Sequence, residues 1–311
     1  EKINLPANNT SFTKEFLISK GYNPINDTIK YFFFVSLPLI IFLFLNQALK
    51  KKAIQVKEII FEKDEKCTNH HPAVLILSFI FVIFIFLEFF SVNFPLSNLR
   101  IDQMHDGTFL TPTQNSLSTK NFWTSSYLVH GGADLFYPLL SWKIFGVESI
   151  GATRIFTIFL ILFVKLLSVL LSYQFTKILK LNKETKILFF SIFTLILISM
   201  SNYTFLGKSY YISWKDIYIV AFLIFFIELF ISSKIRSLSI ILICLIATTS
   251  IVFQIDKGAY LNFILIFYCL YLLLEKKYKD ILLIFLSLIV FWSILIGFIG
   301  FDEFKAYVHN T

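Results

Sequence analysis

The chain has 311 residues, 57% of them hydrophobic and 18% aromatic against only 15% charged, with a mean hydropathy of +0.74. Soluble domains carry about 25% charged residues, and no single soluble core hides thirty-nine phenylalanines. A soluble globular fold is excluded, and the formal charge of +8, carried largely by lysines between apolar runs, reads as membrane anchoring rather than nucleic-acid binding.

A bilayer core about 30 Å thick takes roughly 20 residues of helix. Apolar runs suited to it fall at 31–49, 72–90, 152–175, 186–200, 217–231, 238–253, 260–274 and 281–299. None alternates with the period of two that a barrel strand requires, so helices are the way to satisfy the backbone in lipid. The expected fold is all-α, a polytopic membrane helix bundle of about eight transmembrane helices forming a single membrane domain over 1–311. Residues 31–90 hold the first two spans and 152–299 the other six. The chain starts at Glu1 with no basic signal region and stops at Thr311 just beyond an apolar run, as expected of a fragment or a processed chain.

Basic residues alternate with each crossing. Lys50, Lys51, Lys52, Lys57, Lys63 and Lys66 follow the first run, and Lys177, Lys180, Lys183 and Lys186 the third. Lys234 and Arg236 follow the fifth, and Lys276, Lys277 and Lys279 the seventh. The positive-inside rule then puts these loops in the cytoplasm and the amino terminus outside. Cys67, Cys244 and Cys269 are too scattered for a disulfide framework, and "CTNHH" (Cys67 to His71) reads as a solvated loop rather than a metal site, so no metal ligands are assigned.

The same topology makes residues 91–151 one long extracytoplasmic loop. Loops beyond about 12–15 residues are usually functional or disordered, and this one carries enough aromatics to fold against the membrane face. "FYPLLSWKIFG", Phe136 to Gly146, has apolar residues at helical spacing and a glycine stop, which predicts a short interfacial helix.

Polar residues gather at this outer end. In "NLRIDQMHDGTF" (Asn98 to Phe109), Asp102 and Asp106 are four apart and would share a helical face if the second span continued through them. Two carboxylates so placed suit a general base, a divalent-metal site or recognition of a polar substrate, and a solvated loop start is the plainer reading. "YLVHGGADLF" offers His130 at a turn where Gly131 and Gly132 let the backbone approach a ligand or bend sharply. Arg154 opens the third span, where it snorkels to the interface or clamps a phosphate. Lys208 and Lys257 lie in the short outer loops "GKSYYISWKD" and "FQIDKGAY", where the positive-inside bias does not explain them. Glu88 and Lys165, costly in lipid, should face the bundle, with Glu88 near the outer end of its span and Lys165 near mid-membrane.

The ordered set, an acidic residue after an early span, a glycine-histidine stretch, "IFG" (Ile144 to Gly146) and then Arg154, resembles the GT-C superfamily of membrane glycosyltransferases. The similarity is to the branch of protein O-mannosyltransferases and lipid A aminoarabinose transferases, and it covers roughly residues 90–160. Asp102 stands at the family's leading carboxylate, whereas Gln103 replaces the usual second acid, which leaves the base open between Asp102 and Asp106. The resemblance implies transfer of a sugar from a polyprenyl-phosphate donor to a lipid, glycan or protein acceptor at the outer face of a bacterial inner membrane. It further implies that Asp102 or Asp106 is the catalytic base, that His105 and His130 line the substrate, and that Arg154, Lys208 and Lys257 hold phosphate. The leaving phosphate calls for arginine, lysine or a divalent cation such as Mg²⁺ or Mn²⁺. The competing reading is a transporter or flippase component for a lipid-linked or anionic solute.

Overall fold

The computed structural model describes residues 72–90, 103–126, 128, 131–179, 181–199 and 216–310, together with seven positions between 29 and 44. It divides into two compact units, 1–59 and 60–311. In the first, Ile29, Phe33, Ser36, Leu37, Ile40, Ile41 and Phe44 are helical.

The second unit is all-helical among the described residues. Its helices are α1 (Pro72–Phe90), α2 (Gln103–Thr119), α3 (Ala133–Phe145), α4 (Ile150–Ile178), α5 (Lys183–Ser199), α6 (Ile217–Ile231), α7 (Arg236–Phe253), α8 (Ile255–Leu274), α9 (Tyr278–Ile299) and α10 (Phe301–Asn310). Four of them, α4, α7, α8 and α9, are long and apolar enough to cross a membrane, and Val74–Phe90 and Ile217–Ile231 are shorter apolar helices. The chain thus has the build of a membrane protein. Large apolar side chains such as Phe79, Phe86, Phe285 and Phe298 are exposed on these helices, as a hydrocarbon solvent allows.

Helices α1, α4 and α5 pack together, α4 also packs on α6, and α6, α8 and α9 surround α7. Without a hydrophobic drive between helices in lipid, small residues are what let backbones approach. The buried stripe of α4 includes Ser168, Ser172 and Thr176, and that of α5 includes Ser191 and Thr194. Ser168, Ser172 and Ser191 donate to the carbonyls four residues back at 2.9 Å, so these hydroxyls are satisfied inside their own helix. In α7 the buried set is Ser239, Ile240, Ile243, Cys244, Ala247, Thr248, Ser250 and Val252. A helix with three neighbours has little room for longer side chains.

Two cationic side chains lock the bundle. Lys165 is fully buried, and its Nζ donates to the carbonyl of Glu88 at 2.7 Å and that of Phe89 at 3.4 Å, at the last turn of α1. Lys165 and Glu88, placed at different depths by the sequence, thus meet, with helix-end carbonyls as hydrogen-bond acceptors and a favourable helix dipole. The levels match because Lys165 is about 22 Å of helix from Ile150, so α4 runs well past the end of α1. At the opposite end Arg236 donates to Asp280 at 2.8 Å, to the Leu229 carbonyl at 2.9 Å and to the Tyr268 hydroxyl at 3.1 Å. One guanidinium thereby ties α6, α8 and α9 to α7.

Replacing Lys165 by methionine should destabilise the bundle by about 1–3 kcal/mol, the cost of leaving buried acceptors unmet. Hydrogen exchange of residues 85–90 should rise in that variant, whereas Lys177→Met, on an exposed position, should leave it unchanged.

Candidate functional site

The end of the bundle that carries α2 and α3 is built on the turn between α7 and α8. A single residue, Gln254, separates the two helices. The close return is permitted by Gly258, where a Cβ would lie 2.1 Å from the Ile251 Cα and 2.2 Å from its nitrogen. Only glycine fits there, because backbone cannot move aside as a flexible side chain can. Asn262 reinforces the hairpin by donating to the carbonyls of Ala247 at 2.9 Å and Gly258 at 2.8 Å.

On this hairpin sits the loop. Gly132 N–H donates to the Val252 carbonyl at 2.9 Å, and a Cβ on Gly131, which has φ +103°, would meet that carbonyl oxygen at 2.9 Å. The two glycines thus serve a close backbone approach to the α7–α8 turn. From them α3 starts, and it stops at Gly146, whose φ of 66° is the left-handed conformation of a helix end. Tyr137 Oη bonds Thr157 at 2.8 Å, and Trp142 Nε1 donates to the Ser149 carbonyl at 3.0 Å and to Thr153 at 3.1 Å. These bonds seat α3 on the part of α4 that extends beyond α1. Helix α2 packs on α3, where Thr113 donates to the Leu135 carbonyl at 3.2 Å.

Helix α10 closes the same end. The Glu303 carboxylate accepts from the backbone N–H groups of Phe122 at 3.2 Å, Trp123 at 2.7 Å and Thr124 at 3.1 Å, and from the Thr124 hydroxyl. Tyr307 donates to the Ile251 carbonyl at 2.7 Å and packs edge-on against the buried Trp123 ring. Burial pushes the Tyr307 phenol up to about 12.

The expected site residues distribute as follows. Asp102, His130 and Lys208 lie outside the described residues. His105 and Asp106 belong to the first turn of α2, a helix with its own bounds beginning at Gln103, and their side chains are not described. Arg154 stands one turn into α4, half-buried, beside Thr153 and close in sequence to the Tyr137 anchor at Thr157. Lys257, in the first turn of α8, lies 3.4 Å from Asp216 and 3.6 Å from Asp256. Its ammonium is already matched by two carboxylates, so a phosphate there would have to displace one of them. The same contact argues against a divalent cation between Asp216 and Asp256, because the lysine occupies that role. Among the described residues no three His, Cys, Asp or Glu side chains gather as a metal site.

Sequence reasoning overlooked Glu303 and Gln254. Nothing in "FDEFKAYVHN" separates Glu303 from Asp302, and only the fold brings it across 179 or more residues to the loop. No protein-family model, curated protein or solved structure matches the chain.

Glu303→Ala should strip three N–H groups of their acceptor and lower stability by about 1–3 kcal/mol, with faster hydrogen exchange at 122–124; Asp302→Ala should do neither. The Tyr307 phenol ionises near 10.0 in the unfolded chain and near 12 in the folded one, so its contribution is complete below about pH 10 and lost as the pH rises toward 12. In alkaline thermal melts Tyr307→Phe should flatten that decline.

Proposed function

We propose that the chain is a GT-C-type glycosyltransferase that moves a sugar from a polyprenyl-phosphate-linked donor to an acceptor hydroxyl at the outer face of a bacterial inner membrane. On this reading all eight apolar runs cross the bilayer, the amino terminus lies outside, and the lysine-rich turns are cytoplasmic. The observation that carries it is the folded loop itself. Helices α2 and α3 are packed on one end of the bundle, anchored to α4 and to the α7–α8 hairpin, at the end away from Lys183, Lys186, Lys276 and Lys277. Helices α2 and α3 packed at one end of the bundle support a reading in which this loop works at a membrane surface, as a reaction on a lipid-linked donor would need.

The chemistry is an inverting displacement. Asp102 or Asp106 takes the proton of the acceptor hydroxyl as its oxygen bonds to the anomeric carbon, and the bond from that carbon to the lipid phosphate oxygen breaks. Arg154 and Lys208 stabilise the departing phosphate, with Lys257 contributing once it is released from its carboxylates. His105 and His130 line the substrate.

The transporter reading differs in leaving the sugar–phosphate bond intact. In proteoliposomes supplied with polyprenyl-phosphate hexose or pentose and a cell-envelope extract as source of acceptor hydroxyls, transfer should release polyprenyl phosphate, whereas transport would relocate the intact lipid. Asp102→Asn or Asp106→Asn should lower that release by about 10²–10⁴-fold, the usual worth of a general base. Two unimpaired variants, or movement without bond cleavage, would exclude the transferase.

A further inference from the structure

A cavity of about 200 Å³ lies between α3, α4, the start of α6 and the α7–α8 hairpin. Its walls include Phe136, Leu140, Phe156, Leu160 and Tyr218, and no charged residue lines it. Leu140 is 49% exposed, so the cavity is open along that edge. The polar residues of its lining are Tyr137, Tyr218 and Gln254. Gln254 is 1% exposed, and among the described residues neither its Oε1 nor its Nε2 has a hydrogen-bond partner. Its backbone is held firmly, with N–H donating to the Ser250 carbonyl at 2.7 Å and C=O accepting from Gly258 N–H at 2.7 Å.

A buried amide with both a donor and an acceptor unmet carries the full desolvation penalty of each. A leucine would fill the same wall without it. The arrangement is one a ligand would complete, since binding pockets are mostly apolar with a few placed polar groups. What the ligand must offer follows from the amide. A phosphate or carboxylate only accepts, would leave Oε1 unmet, and finds no cation in this lining. A neutral hydroxyl or secondary amide both donates and accepts. A dry cavity of about 150 Å³ takes a benzene-sized molecule, so this one holds a short stretch of hydrocarbon.

We propose that this groove binds an amphiphile at the point where its hydrocarbon chain carries a neutral donor–acceptor group, as hydroxyacyl and N-acyl lipids do, with Gln254 both donating to and accepting from that group. The site stands on its own geometry and holds whether or not the chain transfers a sugar.

The test uses the full chain in detergent micelles and three uncharged probes of one chain length, with binding read by native mass spectrometry. The probes are methyl tetradecanoate, methyl 3-hydroxytetradecanoate and N-methyltetradecanamide. The hydroxylated ester or the amide should bind up to about tenfold more tightly than the plain ester, because each adds the donor that Oε1 lacks; which of the two gains tells a hydroxyacyl from an N-acyl source. Gln254→Leu should erase that preference and keep the plain ester bound, and Leu160→Trp, which fills the groove, should weaken all three. Without any probe, Gln254→Leu should melt no lower than the parent. Equal binding of the three probes would mean that water alone serves the amide, and the proposal falls. It falls equally if Gln254→Leu keeps the preference or melts lower than the parent, or if Leu160→Trp binds as before.

Discussion

At the α7–α8 turn two backbones touch where no side chain could stand between them. Gly258 lies so close to Ile251 that a methyl group would overlap its Cα, and that closeness is what allows a one-residue turn at Gln254. The turn then presents the Val252 carbonyl to Gly132 and the Ile251 carbonyl to Tyr307. One accepts the loop before α3, the other accepts α10. Were the hairpin wider, both acceptors would move, and the loop, the helix that closes over it and one wall of the apolar groove would lose their common support.

The rest of the bundle follows from the requirement that polar groups in hydrocarbon be met inside the protein. Serines bond to their own helix and so permit close packing at little polar cost, while the two buried or half-buried cations face several acceptors each. Lys165 satisfies the last turn of α1, and Arg236 gathers the ends of three helices around a fourth. Gln254 departs from this pattern at both amide atoms, and the Thr194, Ser199 and Thr248 hydroxyls are likewise unmet among the described residues. The Gln254 amide is as buried as these groups and meets nothing, which is why the groove beside it reads as a binding site rather than as loose packing.

Much of the architecture was legible from the chain. The apolar runs at 72–90 and 217–231 coincide with α1 and α6, and "IFG" does end a helix at a left-handed glycine. Hydrophobic runs and glycine stops are local signals, set by neighbours in sequence. The glycine pair at 131–132 was legible only as a need for close approach, with a ligand or a bend as its object. That the object is the backbone of Val252 and Phe253 depends on a contact across more than a hundred residues. Lys257 read as a cation left over for phosphate, because the spacing of Asp216 from it says nothing about their distance in space.

By itself, then, the sequence determined the apolar solvent and the helical class, because hydropathy acts locally against a bilayer. Only the tertiary structure decided which groups meet at the end that carries α2 and α3. Glu303 reaches the N–H groups of 122–124, Lys257 sits between Asp216 and Asp256, and Gln254 is enclosed without a partner. Each of these arises from helices distant in sequence ending side by side, and periodicity along a single chain carries no record of which ends will be neighbours.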